Sequence, residues 1–338
     1  MARLTEGVLS RAQVRRVLAE GLLRRGGRRL ANGDKLHADD AARFEDRGLS
    51  ALLEAGQAGP VATPGLPLDI VWEDEALVAV NKPAGMAVQP LRPDETGTVV
   101  NGLLARFPEM RDIGGEPLCP AVVHRIDIET SGLVLAARTG VAYRALRNEF
   151  RRFQVRKFYL AAVEGHAEAG RCDTPLTHAT HVPCRMRLAR PDEIAGRGER
   201  GQKRVFAAST AWRPLKYVEE RDQSLLEVEI RTGVTHQIRC HLAAAGHPLL
   251  GDPVYGRAKD GTGGGQALHS WTAMLAHPTT GELLPLEAPP PQAFPLGCGG
   301  GEEAGASKNG RKRLFCVKSH AFWGRLATCD LRLTGGDG

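Results

Sequence analysis

The sequence predicts an α+β protein, because strand-forming runs and helical segments both occur along its 338 residues. Short runs rich in β-branched and other apolar residues predict strands at 70–72, 77–80, 133–137 and 155–163. Thr139 and Thr235 can each cap a helix, and apolar residues follow Thr139 at helical spacing. A chain of this length can bury a proper core and hold one sizeable domain and a small one.

The composition is that of a soluble globular protein, with 42% apolar and 25% charged residues. The seven cysteines are odd in number and widely spaced, and no Cys-x-x-Cys pair occurs. This pattern argues against a zinc ribbon or a disulfide framework and favours reduced thiols in a cytoplasm. The chain has no apolar run of about 18 residues and no apolar signal core, so neither membrane insertion nor export is expected.

The net charge of +6 is unevenly distributed, since eight arginines and only two glutamates fall within the first thirty residues. Such a basic segment favours a polyanion as partner. A solvated, charged helix face is the alternative interpretation.

The amino-terminal segment predicts a basic helix followed by a hairpin. A capping box at residues 10–13 precedes apolar residues at helical spacing, and Arg11 and Arg15 would lie one turn apart on one helix face. The Asn-Gly pair within residues 30–36 favours the tight turn of a hairpin. Residues 50–67 are rich in Ala, Gly and Pro and predict a linker.

Asp127 stands just before a buried strand, in the segment His-Arg-Ile-Asp-Ile-Glu-Thr-Ser-Gly that begins at His124. The Thr-Ser-Gly turn and the apolar run after it would display this carboxylate on a rigid element. A carboxylate in this place can form a structural ion pair, bind a metal, or act as a nucleophile or base.

The second half of the chain predicts three further features. Residues 172–203 are polar and irregular, which fits either an insertion that faces the polyanionic partner or a mobile surface loop. Apolar residues alternate with charged ones over 226–230 and predict a half-buried strand. This strand leads into the helix capped by Thr235, which is expected to end near Gly246.

The segment around Asp127 resembles the His-Arg-Leu-Asp-x-x-Thr-Ser-Gly signature of the RluA family of pseudouridine synthases, which modify large-subunit ribosomal RNA and some transfer RNA. Ile126 in place of Leu is its one departure. Further segments resemble family motifs, at 81–85, 157–161, 233–242, 246–256 and 268–289. Val234 stands where the family usually has Arg, whereas Arg239 is present.

The resemblance implies a catalytic domain over residues 68–294 with a mixed, largely antiparallel sheet. The basic helix and the Asn-Gly turn resemble the small alpha-L RNA-binding module of small-subunit ribosomal protein four, which is assigned to residues 1–49. Residues 50–67 are then the linker, and the Gly-rich, basic residues 295–338 form a tail that is expected to be disordered.

The implied activity is the isomerisation of uridine to pseudouridine in RNA. The reaction breaks the N1 glycosidic bond, turns the uracil and joins C5 to the sugar without redox change, so no cofactor is required. Asp127 resembles the catalytic carboxylate, and Arg239 resembles its partner, which would oppose the rise in pKa that burial causes. Tyr159 could stack on the uracil and exchange a proton with it.

RNA is the implied partner, with ribosomal RNA favoured and transfer RNA as the alternative, and the protein is expected to be a monomer. A target uridine inside a stem must be flipped out of it. Arg125 could fill the vacated stack or hold a phosphate. The residues expected to contact RNA are Arg125, His124, Lys82, Lys157, Arg11 and Arg15.

Three other functions compete with this interpretation. A glycoside hydrolase needs two carboxyl groups, and Glu129 is the nearest second acid. A metal site built from His236, His241 and His247 is not expected, because their spacing does not stack them on one helix face. A non-catalytic RNA-binding or ribosome-assembly protein is the third, and the joint presence of the three catalytic candidates argues against it.

Overall fold

The structure is a computed structural model that describes residues 59–114, 116–179, 185–196, 204–256 and 265–296, together with short stretches between residues 18 and 44. The predicted helix at 10–22 lies almost entirely outside these residues. Arg11, Arg15 and residues 297–338 lie outside them as well.

Two small sheets and one large sheet make up the described strands. The first small sheet has the strands β1 (Leu23–Arg25), β2 (Arg28–Arg29) and β3 (Ala42–Phe44). The strands of the large sheet are β4 (Asp69–Glu73), β5 (Leu77–Lys82), β6 (Ser131–Ala137), β7 (Arg156–Glu164), β8 (Gly170–Cys172), β12 (Thr210–Val218), β13 (Gln223–Ile230), β14 (Leu268–Ala276) and β15 (Leu283–Glu287). The second small sheet contains β9 (Leu176–His178), β10 (Met186–Leu188) and β11 (Val205–Phe206).

The large sheet has the strand order β4-β5-β6-β14-β7-β13-β12-β8, and β15 pairs with β14. Every neighbouring pair is antiparallel except β6 and β14, which run parallel. The prediction of a mixed, largely antiparallel sheet is therefore confirmed.

The parallel junction between β6 and β14 joins the two antiparallel halves of the sheet through only two residue pairs, one of which is Gly132 with Ser270. Gly132 has a φ of +105°, and a Cβ atom on it would lie 2.1 Å from the carbonyl oxygen of Ser270. Next to it, the Ser131 hydroxyl and the Nδ1 atom of His269 are 2.8 Å apart. Glycine at position 132 is therefore required both by its backbone conformation and by the close approach of the neighbouring strand.

Strand β6 is buried along its whole length because it lies between β5 and β14 with both faces covered. This position explains why its sequence is a continuous apolar run rather than an alternation. Strand β13 differs from its prediction. It was expected to be half-buried, but both its faces are largely covered, and Glu227 is buried among its apolar residues.

Four α-helices are described over their full length: α1 (Val99–Arg106), α2 (Gly140–Arg151), α3 (Pro191–Ala195) and α4 (Gln237–Ala244). Helix α2 begins as predicted, since the Thr139 hydroxyl accepts a hydrogen bond from the backbone N–H of Ala142. Helix α1 was not predicted. It begins with a capping box between Thr98 and Asn101.

Helix α4 is not capped by Thr235, contrary to the prediction. His236 occupies the cap position with a φ of +53°, and its side chain makes no capping hydrogen bond. Instead, the amide oxygen of Gln237 accepts a hydrogen bond from the Val234 N–H. The helix ends at Ala244, followed by Gly246 with positive φ, as expected.

Other expectations also need correction. The supposedly irregular residues 172–203 contribute β9, β10 and α3, with Leu176 and Met186 buried. The hairpin predicted over residues 30–36 lies largely outside the described residues, and within it the Asp34 N–H donates a hydrogen bond of 3.2 Å to the Ala31 carbonyl oxygen. Within the predicted linker, the Val61 carbonyl oxygen accepts a hydrogen bond from the side chain of Asn101 on helix α1.

None of the helices that the structure describes has the length and apolar character needed to cross a lipid bilayer.

Gly132→Ala should lower the free energy of unfolding by about 3 kcal/mol, because the new methyl group would collide with the Ser270 carbonyl and the backbone would remain at positive φ. Chemical denaturation followed by circular dichroism would measure the loss. Gly281→Ala is the matched control, since Gly281 also has positive φ, +73°, but open space around it. Gly281→Ala should lower the free energy of unfolding by only about 1 kcal/mol. Equal losses for both variants would contradict the proposed importance of the close contact.

Candidate active site

A cleft of about 940 Å³ opens beside the start of β6, where the loop that carries Asp127 ends. Asp127 lies in a turn closed by a hydrogen bond of 3.1 Å from the Thr130 N–H to its carbonyl oxygen. Asp127, Tyr159 and Arg239 all line this cleft. The structure thus brings together the three predicted catalytic residues, which are separated by as much as 112 positions in the chain.

Arg239 binds two carboxylates at once. Its Nη1 atom donates to Asp127 Oδ2 at 2.8 Å, while Nε and Nη2 donate to the two oxygens of Asp252 at 2.7 and 2.9 Å. The side chain of Asp252 is fully buried, whereas that of Asp127 is 28% exposed. Asp127 is therefore the carboxylate of this group that a ligand in the cleft can reach.

Asp252 is held rigidly, since its Oδ1 atom also accepts hydrogen bonds from the backbone N–H groups of Val254 and Tyr255. Burial alone would raise the pKa of Asp252, but the hydrogen bonds from Arg239 and the backbone outweigh it and lower this pKa. For Arg239, burial acts to lower the pKa, and the hydrogen bonds to both carboxylates raise it overall. Asp252 and Arg239 are thus both charged. Their geometry is fixed by the hydrogen bonds between them and by those from the backbone to Asp252.

His236 is a further neighbour of the catalytic candidate, with Nε2 at 3.8 Å from Asp127 Oδ2. Its Nδ1 atom is 3.1 Å from the Tyr255 hydroxyl, which also accepts a hydrogen bond from the Met186 N–H. Burial lowers the pKa of His236, although the carboxylate of Asp127 acts in the opposite direction. The imidazole is therefore neutral near pH 7, and Tyr255 connects it to strand β10 of the second small sheet.

Tyr159 lies on β7 and is only 6% exposed. Burial raises the pKa of its phenol to about 12, and a hydrogen bond with Ser270 only partly offsets this rise. The phenol is therefore neutral at physiological pH and can donate a hydrogen bond in the cleft.

Lys157 also lies on β7 and lines the cleft. Its ammonium group donates to the Thr232 carbonyl oxygen at 2.9 Å and lies 5.6 Å from the centre of the Phe150 ring. Burial lowers the pKa of Lys157 to about 8, so the group is still mainly charged at pH 7. Arg125 is exposed at the cleft and donates to the Gln89 side chain at 2.8 Å.

Two of the residues expected to contact RNA have structural roles instead. The Lys82 side chain is completely buried, and its ammonium donates to the carbonyl oxygens of Pro83, Met86 and Ile128. It thereby connects the end of β5 to the loop that carries Asp127. No part of it is accessible to a phosphate, so the predicted RNA contact of Lys82 is wrong.

His124 lines the cleft but is not the cation that backbone binding requires. Its Nε2 atom accepts a hydrogen bond from the Leu135 N–H at 3.2 Å, and its ring stacks on Phe150. Burial, together with the charges of Lys157 and Arg147, lowers the pKa of His124 to about 3. This neutral imidazole supports the loop before Asp127 and contributes no positive charge to RNA binding.

The three histidines considered as metal ligands have separate partners. His241 is bound to Thr210 and to the Thr174 carbonyl oxygen, and His247 to the Glu164 carbonyl oxygen. In the part of the chain that the structure describes, no group of three His, Cys, Asp or Glu side chains is arranged to hold a metal ion.

Sequence reasoning missed Asp252, His236 and Tyr255 as members of the site. The signal that could have identified them is that all three fall within segments that resemble family motifs. The pairing of Asp252 with Arg239 depends on the turn after α4 and has no periodic signature in the sequence.

Comparison with known proteins gives a consistent result. The family model described as RNA pseudouridylate synthase matches residues 76–244. A ribosomal large subunit pseudouridine synthase D of Zymomonas mobilis is 38% identical, over 68% of this chain and 72% of the relative. An uncharacterised RNA pseudouridine synthase of Bacillus subtilis is 34% identical, over 85% of this chain and 88% of the relative.

Among solved structures, the human RNA pseudouridylate synthase domain containing 1 aligns with a TM-score of 0.52 and 25% identity, covering 68% of this chain and 86% of that one. The match of the family model, the extent of the similarity to curated relatives and the shared sheet agree with one another. The chain belongs to the RNA pseudouridylate synthase family and is an RNA pseudouridine synthase.

Proposed function

We propose that the protein isomerises a uridine of large-subunit ribosomal RNA to pseudouridine, with Asp127 as the catalytic carboxylate. The observation that carries this proposal is the hydrogen bond of 2.8 Å from the buried guanidinium of Arg239 to Asp127, within a cleft that Tyr159 also lines. Names of relatives such as the Zymomonas mobilis protein support ribosomal RNA as substrate. Transfer RNA is the alternative, and the cytoplasm is the expected location.

The reaction needs a carboxylate near the sugar and the base of an extruded nucleotide. The bond from N1 to C1′ breaks, C5 bonds to C1′ and loses its proton, and N1 gains one, so atoms balance without an external reagent. Asp127 could attack C1′, attack C6 or assist loss of a sugar proton. Each route needs an accessible carboxylate, which Asp127 provides and Asp252 does not.

The neutral phenol of Tyr159 would hydrogen-bond the uracil while the base turns, and its ring would limit the movement of the base. Arg125, which is exposed at the cleft, supplies positive charge for the RNA backbone, whereas Lys157 is only 6% exposed and adds its charge from within the cleft wall. Residues 1–49, with Arg11 and Arg15, are proposed as a separate RNA-binding module preceding the catalytic domain at 68–294. Such a module would add affinity without contributing to the chemistry.

Asp127→Asn should retain RNA binding and lose at least a factor of about 1,000 in turnover, because an amide cannot act as nucleophile or base. Glu129→Gln is the matched control, since Glu129 also lines the cleft and is the second acid that a glycoside hydrolase would require. Release of tritium from C5-labelled uridine in ribosomal RNA would measure turnover. An Asp127→Asn variant as active as Glu129→Gln would exclude Asp127 from the catalytic role.

Pseudouridine mapping of total RNA with and without the protein would identify the substrate. A site should disappear on deletion and return with the wild type but not with Asp127→Asn. Disappearance of a transfer RNA site alone would favour the alternative substrate, and an unchanged map would contradict the proposed activity.

Tyr159→Phe should lower kcat by about a hundredfold and leave the Kd for RNA unchanged, because the ring is kept and only the hydrogen-bonding hydroxyl is lost. Tyr143→Phe is the control, as Tyr143 also lines the cleft and has no proposed part in the chemistry. Single-turnover assays at saturating protein would separate the two constants. A wild-type kcat for Tyr159→Phe would show that the phenol hydroxyl is dispensable.

Asp252→Asn should lower kcat by about a hundredfold with little change in KM, because Arg239 would lose the fixed anion that aims it at Asp127. The melting temperature should also fall, since a buried charge loses its partner. Glu193→Gln is the control because it removes a buried carboxylate from Arg187 outside the cleft. It should lower the melting temperature and leave kcat unchanged. The same pattern in Asp252→Asn would mean that Asp252 has only a structural role.

A further inference from the structure

A second cavity, of about 320 Å³, adjoins the active-site cleft. The two share Phe153, Gly233 and Val234 in their walls, so they are parts of one continuous groove. None of the three catalytic candidates lines the second cavity, so it is separate from the place where the chemistry is proposed.

Phe153 is unusual among the residues that the two cavities share. It follows α2 at a φ of +58°, a conformation that is unfavourable for a bulky side chain and would suit Gly or Asn better. Its side chain is 49% exposed, so core packing does not account for an aromatic residue at this position. An exposed ring on a fixed turn is suited to stacking against a flat ligand.

The wall of the second cavity contains a second aromatic ring. Phe206, on β11, lines it, and the guanidinium of Arg204 lies 4.8 Å from the centre of the Phe206 ring. Val205 and Val234 make other parts of the wall apolar. Aromatic rings beside an arginine are the combination that holds single-stranded nucleic acid bases.

The charges around the groove select RNA over a neutral or cationic occupant. Arg151 and Arg152 precede Phe153 and are exposed, and Arg231 has a side chain that is 58% exposed. Arg151 and Arg231 line the main cleft close to the residues shared with the second cavity. None of the described residues that line the second cavity is acidic. A phosphate backbone could thus follow the arginines while a base enters the cavity.

We propose that the second cavity, bounded by Phe153 and Phe206, is a stacking subsite for the base of an unpaired nucleotide one or two positions from the target uridine on the same RNA strand. The inference depends on the proposed function, because the target uridine itself is assigned to the cleft at Asp127. The subsite would hold the strand in register and would not take part in the isomerisation. It therefore affects binding and leaves the rate at saturation unchanged.

The test uses the full-length protein and a synthetic RNA hairpin of the ribosomal site that mapping identifies. Phe153→Ala should raise the Kd for this RNA about tenfold and leave the single-turnover rate at saturating protein unchanged. Phe153→Tyr keeps the ring and should bind within about twofold of the wild type. Val141→Ala is the control because Val141 is 66% exposed on α2, the helix that precedes Phe153, and lines neither cavity.

A double-mutant cycle identifies the base that is bound. An abasic nucleotide is placed in turn at each of the two positions on either side of the target uridine. At one position the abasic RNA should bind the wild type about tenfold more weakly, with no further loss for Phe153→Ala. Unchanged affinity of Phe153→Ala, or purely additive losses at all positions, would overturn the subsite alone. A wild type that converts no uridine would instead overturn the proposed function on which the subsite depends.

Discussion

The active site depends on one guanidinium that binds two carboxylates of different accessibility. Asp252 is completely buried and binds Arg239 through two parallel hydrogen bonds, which leaves the remaining Nη1 atom directed at Asp127. With both carboxylates ionised, the three side chains carry a net charge of −1, so Arg239 orients the carboxylate of Asp127 without cancelling the charge of the whole group. A single isolated Arg–Asp pair would be neutral, and its arginine would be free to adopt other rotamers.

The sheet positions these three side chains through the parallel junction of β6 and β14, which has no room for a side chain at position 132. Gly132 approaches Ser270 so closely that the parallel pairing of β6 and β14 excludes a Cβ atom there. Asp127 lies in the loop that leads into this junction, and Tyr159 lies opposite Ser270 on the adjacent strand β7. Lys82 fixes the same loop from the other side by binding the Ile128 carbonyl oxygen. The relative placement of Asp127 and Tyr159 is therefore a consequence of how the two antiparallel halves of the sheet are joined.

Local sequence patterns predicted fully buried strands and helix starts with a local cap. They failed where contacts with distant parts of the chain determine the local structure. The apolar run of β6 and the Thr139 cap of α2 were both correctly predicted. Thr235 looked equally suitable as a cap, but His236 occupies the cap position with positive φ and makes no side-chain capping hydrogen bond. Residues 172–203 seemed irregular because their strands are only three residues long and their buried apolar positions are few.

The same distinction applies to charged side chains in the cleft. A sequence identifies a lysine or histidine as a possible phosphate ligand, but its protonation and accessibility depend on which carbonyl and N–H groups surround it in the fold. Lys82 binds three carbonyl oxygens in a fully buried position, and His124 accepts a backbone hydrogen bond, so both stabilise the loop that carries Asp127. Positive charge for RNA in the described cleft then comes from side chains that keep solvent or cleft exposure, such as Arg125. Because Lys82 is buried and holds the loop that carries Asp127, whereas Arg125 is exposed, the exposed charge of the cleft can be altered by mutation without disturbing the position of Asp127.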